Sequence, residues 1–95
     1  MAAYIFASID ITDPAAYEEY RKRVPAIIAA YGGRYLARGG AVELLEGDKP
    51  RDRQVILEFP TMERLTAFYR SAEYQPLLAI RQHAAKSTLL AIEGV

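Results

Sequence analysis

Arg34, Arg38 and Glu58 are the residues of this chain best suited to chemistry. The two arginines stand four positions apart in a stretch of alternating character, which on a strand puts both guanidinium groups on one face. Glu58, on a strand expected beside it, is their candidate neighbour. In a cleft this trio would hold a carboxylate or an enolate, because guanidinium makes paired contacts with planar oxyanions, and Glu58 would move a proton. The plainer reading, an ion-pair cluster at a seam between subunits, ranks ahead, since such networks occur widely without catalysis. His83 is the only histidine. Ala79 and Ser87 occupy the helical neighbour positions four residues to either side, so no metal centre is expected. A surface or interface place for His83 ranks ahead of a general base facing a cleft. Among seven tyrosines, Tyr17, Tyr69 and Tyr74 suit the wall of a small apolar pocket with polar tips. Each of them taken singly reads as a core aromatic.

Several chemistries are absent. With no cysteine in 95 residues, disulfides, thiolate catalysis and cysteine-bound metals are ruled out. There is no glycine-rich dinucleotide or phosphate loop and no serine elbow, so no cofactor is expected. Twelve basic residues balance twelve acidic ones, which gives no general pull toward nucleic acid or a membrane surface. The first apolar run stops at Asp10, too short for a leader or a span. A cytoplasmic protein of one domain over residues 1–95 is the expectation.

The elements that would position these groups read clearly. Residues 3–11 alternate with period two, as a strand does. Asp13 and Pro14 form a helix start, followed by Tyr17, Tyr20, Val24, Ile27, Ile28 and Tyr31 on one stripe; Pro25 should kink that helix and Gly32-Gly33 should end it. A strand over 34–38 is followed by Gly39-Gly40 and an extended arm over 42–46. Arg53 to Phe59 is the strongest strand, and Thr61 caps a second helix carrying Leu65, Phe68 and Tyr69. Ser71 can restart that helix, Pro76 makes it irregular, and residues 86–95 close as a strand. The cluster Lys49, Arg51 and Arg53 reads as a solvated hairpin tip.

The order β-α-β-β-α-β, with right-handed crossovers, specifies an α+β ferredoxin-like sandwich: a four-stranded antiparallel sheet with its helices on one face. The other face would then hold Tyr4, Phe6, Ile56, Leu89 and Ala91. Leaving that much apolar surface in water is unfavourable, so a homodimer closed sheet against sheet is expected, with Tyr4, Phe6, Ile56 and Leu89 in its interface. RNA-recognition modules share this element order, but the third strand offers Gln54, Ile56 and Glu58 there, with no aromatic for stacking bases.

Particular segments carry a resemblance. Ile11-Thr12-Asp13-Pro14 with Tyr17 and Tyr20, Gly32-Gly33-Arg34-Tyr35-Leu36-Ala37-Arg38-Gly39-Gly40, Val55 to Pro60, and Phe68-Tyr69 leading to Ser71, Glu73, Tyr74 and Gln75 resemble the bacterial family named domain of unknown function 1330. The resemblance runs over residues 3–95. Tyr31 stands where some members have histidine, and Ala72 where proline is frequent. The resemblance implies a ferredoxin-like fold pairing as a dimeric α/β barrel, in a superfamily that includes cofactor-independent monooxygenases, isomerases and haem-binding enzymes, and it assigns no catalytic residue. The resulting expectation is a small homodimer that binds a small acidic or aromatic molecule through Arg34, Arg38, Glu58, Tyr17, Tyr69 and His83. Its alternative is a cofactor-independent monooxygenase or isomerase acting on a phenolic or enolic compound.

Overall fold

In the computed structural model, which describes residues 1–95, the chain runs β1 (Ala3–Ile11), α1 (Pro14–Ala30), β2 (Arg34–Arg38), β3 (Arg53–Phe59), α2 (Met62–Arg70), α3 (Gln75–Ala84) and β4 (Ala85–Glu93). The strands form one sheet in the order β2-β3-β1-β4, with every neighbouring pair antiparallel. This is the ferredoxin-like sandwich that the element order requires. Its local causes are visible in the caps. The Asp13 carboxylate accepts from the Ala16 N–H at 3.2 Å and the Thr61 hydroxyl from the Arg64 N–H at 3.1 Å, each satisfying a free amide of a first helical turn. Helix α1 continues through Pro25 to Ala30. It stops where Gly33 passes against the sheet: a Cβ there would lie 2.6 Å from the Phe59 ring, so no larger residue fits.

The second helical stretch is two helices, α2 and α3, and Ser71 divides them. Its hydroxyl donates to the Phe68 carbonyl at 2.8 Å and accepts from the Tyr74 N–H at 3.2 Å, so one side chain closes α2 and supports the start of α3. Pro76 lies in the first turn of α3, where its missing N–H costs nothing.

Cross-strand register decides which side each residue faces. Val55, Leu57 and Phe59 pair with Ala7, Ile5 and Ala3, and all six are buried with Tyr17, Val24, Ile28, Leu65, Phe68, Tyr74 and Leu77 in one core beneath the helices. On β4, Ala91, Leu89 and Ser87 pair with Ile5, Ala7 and Ile9, so they too face the helices. Leu89 and Ala91 are therefore not on the open face, and Leu90 and Ile92 take that place beside Phe6 and Tyr4. The Leu89-Leu90 doublet is apolar on both faces, so alternation alone does not tell its sides apart. Leu90 is 63% exposed, Ile92 54% and Phe6 43%, and with Ile56 opposite Phe6 they form an apolar band. The chain exposes 6037 Å², against about 5,500 Å² expected for a folded monomer of this mass.

Strand β2 carries the second departure. It pairs Arg34 with Glu58 and Tyr35 with Leu57, then Ala37 with Ile56 and Arg38 with Val55, with a register shift between Tyr35 and Ala37. Leu36 is the extra residue of a bulge, which reverses the facing of the residues after it. Arg34 thus lies on the open face and Arg38 on the helix side, not together. Residues 39–52 then form an irregular connection with Val42, Leu44 and Leu45 exposed; the arm expected over 42–46 joins no ladder. Its base is tied down where the Gly39 N–H donates to the Gln54 carbonyl at 2.9 Å and the Asp52 N–H to Asp10 at 2.8 Å.

Candidate functional site

A cavity of about 40 Å³ lies between the helices and the sheet, room for about three or four waters on a scale where each needs roughly 10–15 Å³. Ile5, Ala7, Val55 and Leu57 form its floor, and Tyr17, Tyr20, Val24 and Ile28 of α1 its roof, with Tyr74 and Arg81 from the α3 side. Two open grooves of about 250 and 340 Å³ flank Tyr69 and Leu89 along β4. Arg81 lines both the cavity and the larger groove, so it stands where the two meet.

The polar wall of the cavity is made of arginines and phenols and contains no carboxylate: Arg21, Arg38, Arg53 and Arg81 with Tyr17, Tyr20, Tyr35 and Tyr74. Arg21 is engaged outside by Glu18, 2.8 Å from its Nε. Arg38 donates to the Arg21 carbonyl at 2.9 Å and lies 4.6 Å from the centre of the Tyr35 ring. Arg53 shares the inward side of β3 with Val55 and Leu57, and its guanidinium sits 5.7 Å from the Tyr17 ring centre. Gly39 makes room for it, because its φ is +65° and a Cβ there would run into the Arg53 guanidinium. Arg81 is 4% exposed and enters no ion pair.

Three buried side-chain atoms have no hydrogen-bond partner: Arg53 Nε, Arg81 Nε and Ser87 Oγ. Arg53 and Ser87 each pair with Ile9, from opposite sides, so they occupy one row across the sheet, and Arg81 shares the cavity with Arg53 and the groove with Ser87. Burial works against the charge on Arg81, while the phenol oxygens of Tyr74, Tyr20 and Tyr69 favour it, and the balance keeps the guanidinium protonated. Burial also raises the Tyr20 and Tyr35 phenols above their ordinary value, so both remain neutral donors. Tyr20 and Tyr74 share one hydrogen bond of 2.8 Å between their hydroxyls.

Of the residues singled out from sequence, Tyr17 and Arg38 line the cavity and Tyr69 lines the grooves beside it. Arg34 and Glu58 form an ion pair at 2.7 Å on the opposite face, and His83 is exposed on α3, away from the cavity. The trio of Arg34, Arg38 and Glu58 is not a single site, because the Leu36 bulge separates its arginines. Arg53 is no solvated tip, since only Arg51 and Asp52 reach outward to Asp10. Arg21, Arg53, Arg81, Tyr20 and Tyr35 are the polar cavity residues not expected there from sequence. A signal for two of them exists: Arg81 follows Tyr74 and Leu77 on the apolar stripe of α3, and Arg53 shares the parity of Val55, Leu57 and Phe59. A cation at a core position is a buried charge that needs a reason.

A family model described as a domain of unknown function (DUF1330) matches residues 2–95. No curated protein matches the chain. Among solved structures, a protein of unknown function from Rhodopseudomonas palustris superposes with a TM-score of 0.80 at 19% identity, over 99% of this chain and 82% of its own. A dimeric ferredoxin-like protein of unknown function from Thermobifida fusca superposes at 0.68 and 17%, over 99% and 92%. SnoaB, a cofactor-independent oxygenase from Streptomyces nogalater, superposes at 0.67 and 14%, over 99% and 93%. At these identities the likeness is one of fold.

Proposed function

This chain belongs to the DUF1330 family, and from its geometry we propose that it is a homodimeric receptor for a small acidic or aromatic molecule bound on the helix side of the sheet. The observation that carries the ligand half is the unbalanced wall of the cavity: several guanidinium groups and phenols face it and no carboxylate does. An anion supplies the missing charge, and rings supply apolar contact. The dimer half rests on the band of Phe6, Ile56, Leu90 and Ile92 on the open face. Covering it removes apolar area from water at about 25 cal/mol per Å². A dimeric relative of the same fold, from Thermobifida fusca, supports the same reading.

The oxygenase relative raises the alternative of cofactor-independent oxygenation or isomerisation of a phenol or enol. The cavity offers charge and hydrogen-bond donors, with neither imidazole nor carboxylate to take a proton, so binding ranks ahead of catalysis. Native mass spectrometry with a thermal-shift panel of aromatic and enolic acids tests both halves. A dimer whose melting temperature rises with one class of acid is expected. A monomer at micromolar concentration would remove the dimer, and indifference to every acid would remove the receptor.

A further inference from the structure

Resting on that receptor reading, we infer that Arg81, with Arg53 and Ser87, forms the seat for the carboxylate of a small monoacid whose body lies along β4 beside Tyr69 and Leu89. The three side-chain atoms that are buried and unpartnered belong to these three residues. They come from three separate elements, α3, β3 and β4: Arg53 lines the cavity, Ser87 lines the groove, and Arg81 lines both. Arg81 is 4% exposed and enters no ion pair; against burial only the phenols of Tyr74, Tyr20 and Tyr69 favour its charge, so an anion from outside the chain would complete it. The Tyr20 and Tyr74 hydroxyls, bonded to each other, have two protons and one shared bond, so one proton is left to donate. Every unused group at the seat is therefore a donor or a hydroxyl, which asks for an acceptor.

The charge and size of that acceptor are set by the surroundings. The floor beneath is aliphatic, and Arg81 lies in the last turn of α3, at the end where the helix dipole disfavours anions. A dianion such as a phosphate monoester would meet that end without a backbone amide cradle, whereas a planar carboxylate matches the guanidinium edge with a single charge. The 40 Å³ cavity takes the head group and no ring. The grooves of 250 and 340 Å³ on either side of Tyr69 and Leu89 have the room for the rest.

The test is calorimetric titration of the full chain with benzoate, benzamide and phenyl phosphate, repeated on Arg81→Met, together with the melting temperature of that variant. Benzoate binding at least about 30-fold tighter than the other two is expected, with a comparable loss in Arg81→Met, in line with truncating one partner of a buried charged pair. The same variant should melt about 4–8 °C higher, because a buried cation without an ionic partner has been removed. An Arg81→Met protein that melts lower and binds benzoate unchanged overturns the seat and leaves the receptor standing. Equal binding of acid and amide does the same. A wild-type protein that binds no acid overturns the receptor itself, and the seat with it. Where Arg81→Met does not fold, Arg53→Gln and Ser87→Ala decide, since weakened benzoate binding in both upholds the seat and unchanged binding in both overturns it.

Discussion

The Tyr20 hydroxyl meets the Tyr74 hydroxyl at 2.8 Å, linking the middle of α1 to the residue that opens α3. Tyr74 is 1% exposed, so the bond is formed away from water, where an unmade partner is costly. Tyr20→Phe removes it and should lower unfolding free energy by about 1 kcal/mol, read from urea denaturation at pH 7. Burial raises the Tyr20 phenol, so the folded state holds that proton more tightly than the unfolded chain does. Its contribution is complete below the free phenol value of about 10 and declines as pH rises beyond it. Stability of the wild type should therefore fall above pH 10, and more gently in Tyr20→Phe. Equal alkaline slopes would show that another group governs that limb.

The two leucines at the centre of β4 separate assembly from folding. Leu90 lies on the open face and Leu89 beneath the helices. Leu90→Asp and Phe6→Asp should give folded monomers by light scattering, with helical circular dichroism retained. Leu89→Ala should instead keep the dimer and lose stability by roughly 1–2 kcal/mol, the apolar contact of a half-buried leucine. A Leu90→Asp protein that stays dimeric at micromolar concentration would place the interface elsewhere.

Gly39 combines a left-handed backbone with the close passage of the Arg53 guanidinium. Gly39→Ala should cost about 1–2 kcal/mol from backbone strain alone, and it should also push Arg53 off the Tyr17 ring. Urea midpoints of Gly39→Ala and Gly40→Ala distinguish the cause. Nothing lies within 4 Å of a Cβ at Gly40, so that change should be nearly silent.

Acid sensitivity should centre on Asp10. The Asp52 N–H and, after it, the Arg51 guanidinium hold its carboxyl below the usual carboxylate range, with partial burial opposing them. The contribution is present above the unfolded value near 4 and lost as pH falls through the lower folded value. Asp10→Asn should therefore destabilise at pH 7 and make little difference near pH 2. At neutral pH it should also hasten proteolytic cleavage within residues 39–52. An unchanged cleavage rate would mean that the Gly39 to Gln54 bond suffices to hold that segment.

Much of the fold could be read from residue pattern, because caps and alternation act locally. Asp13, Thr61 and the run Val55, Leu57, Phe59 each carry their own signal, and the structure obeys them. The site was harder, for physical reasons. A bulge needs a single extra residue, and nothing in Tyr35-Leu36-Ala37 distinguishes it from regular strand, yet it sends Arg34 and Arg38 to opposite faces. The side that each leucine of the Leu89-Leu90 doublet faces depends on pairing with β1, a relationship between residues more than 80 positions apart. Arg53 and Arg81 do break the apolar pattern of their elements. Reading them required weighing a buried charge as a feature, where a charge in a hairpin or near a helix end is ordinarily taken as solvated.

The strand order β2-β3-β1-β4 interleaves the two halves of the chain like the fingers of clasped hands. Each strand from residues 1–38 has only strands from residues 53–93 as neighbours, so neither half contains a sheet of its own. The halves are held together by hydrogen-bonded ladders and a common core, and residues 39–52 add a tether. Expressed as two separate polypeptides split in that tether, they should find each other and rebuild the sandwich, with entropy of association as the main loss.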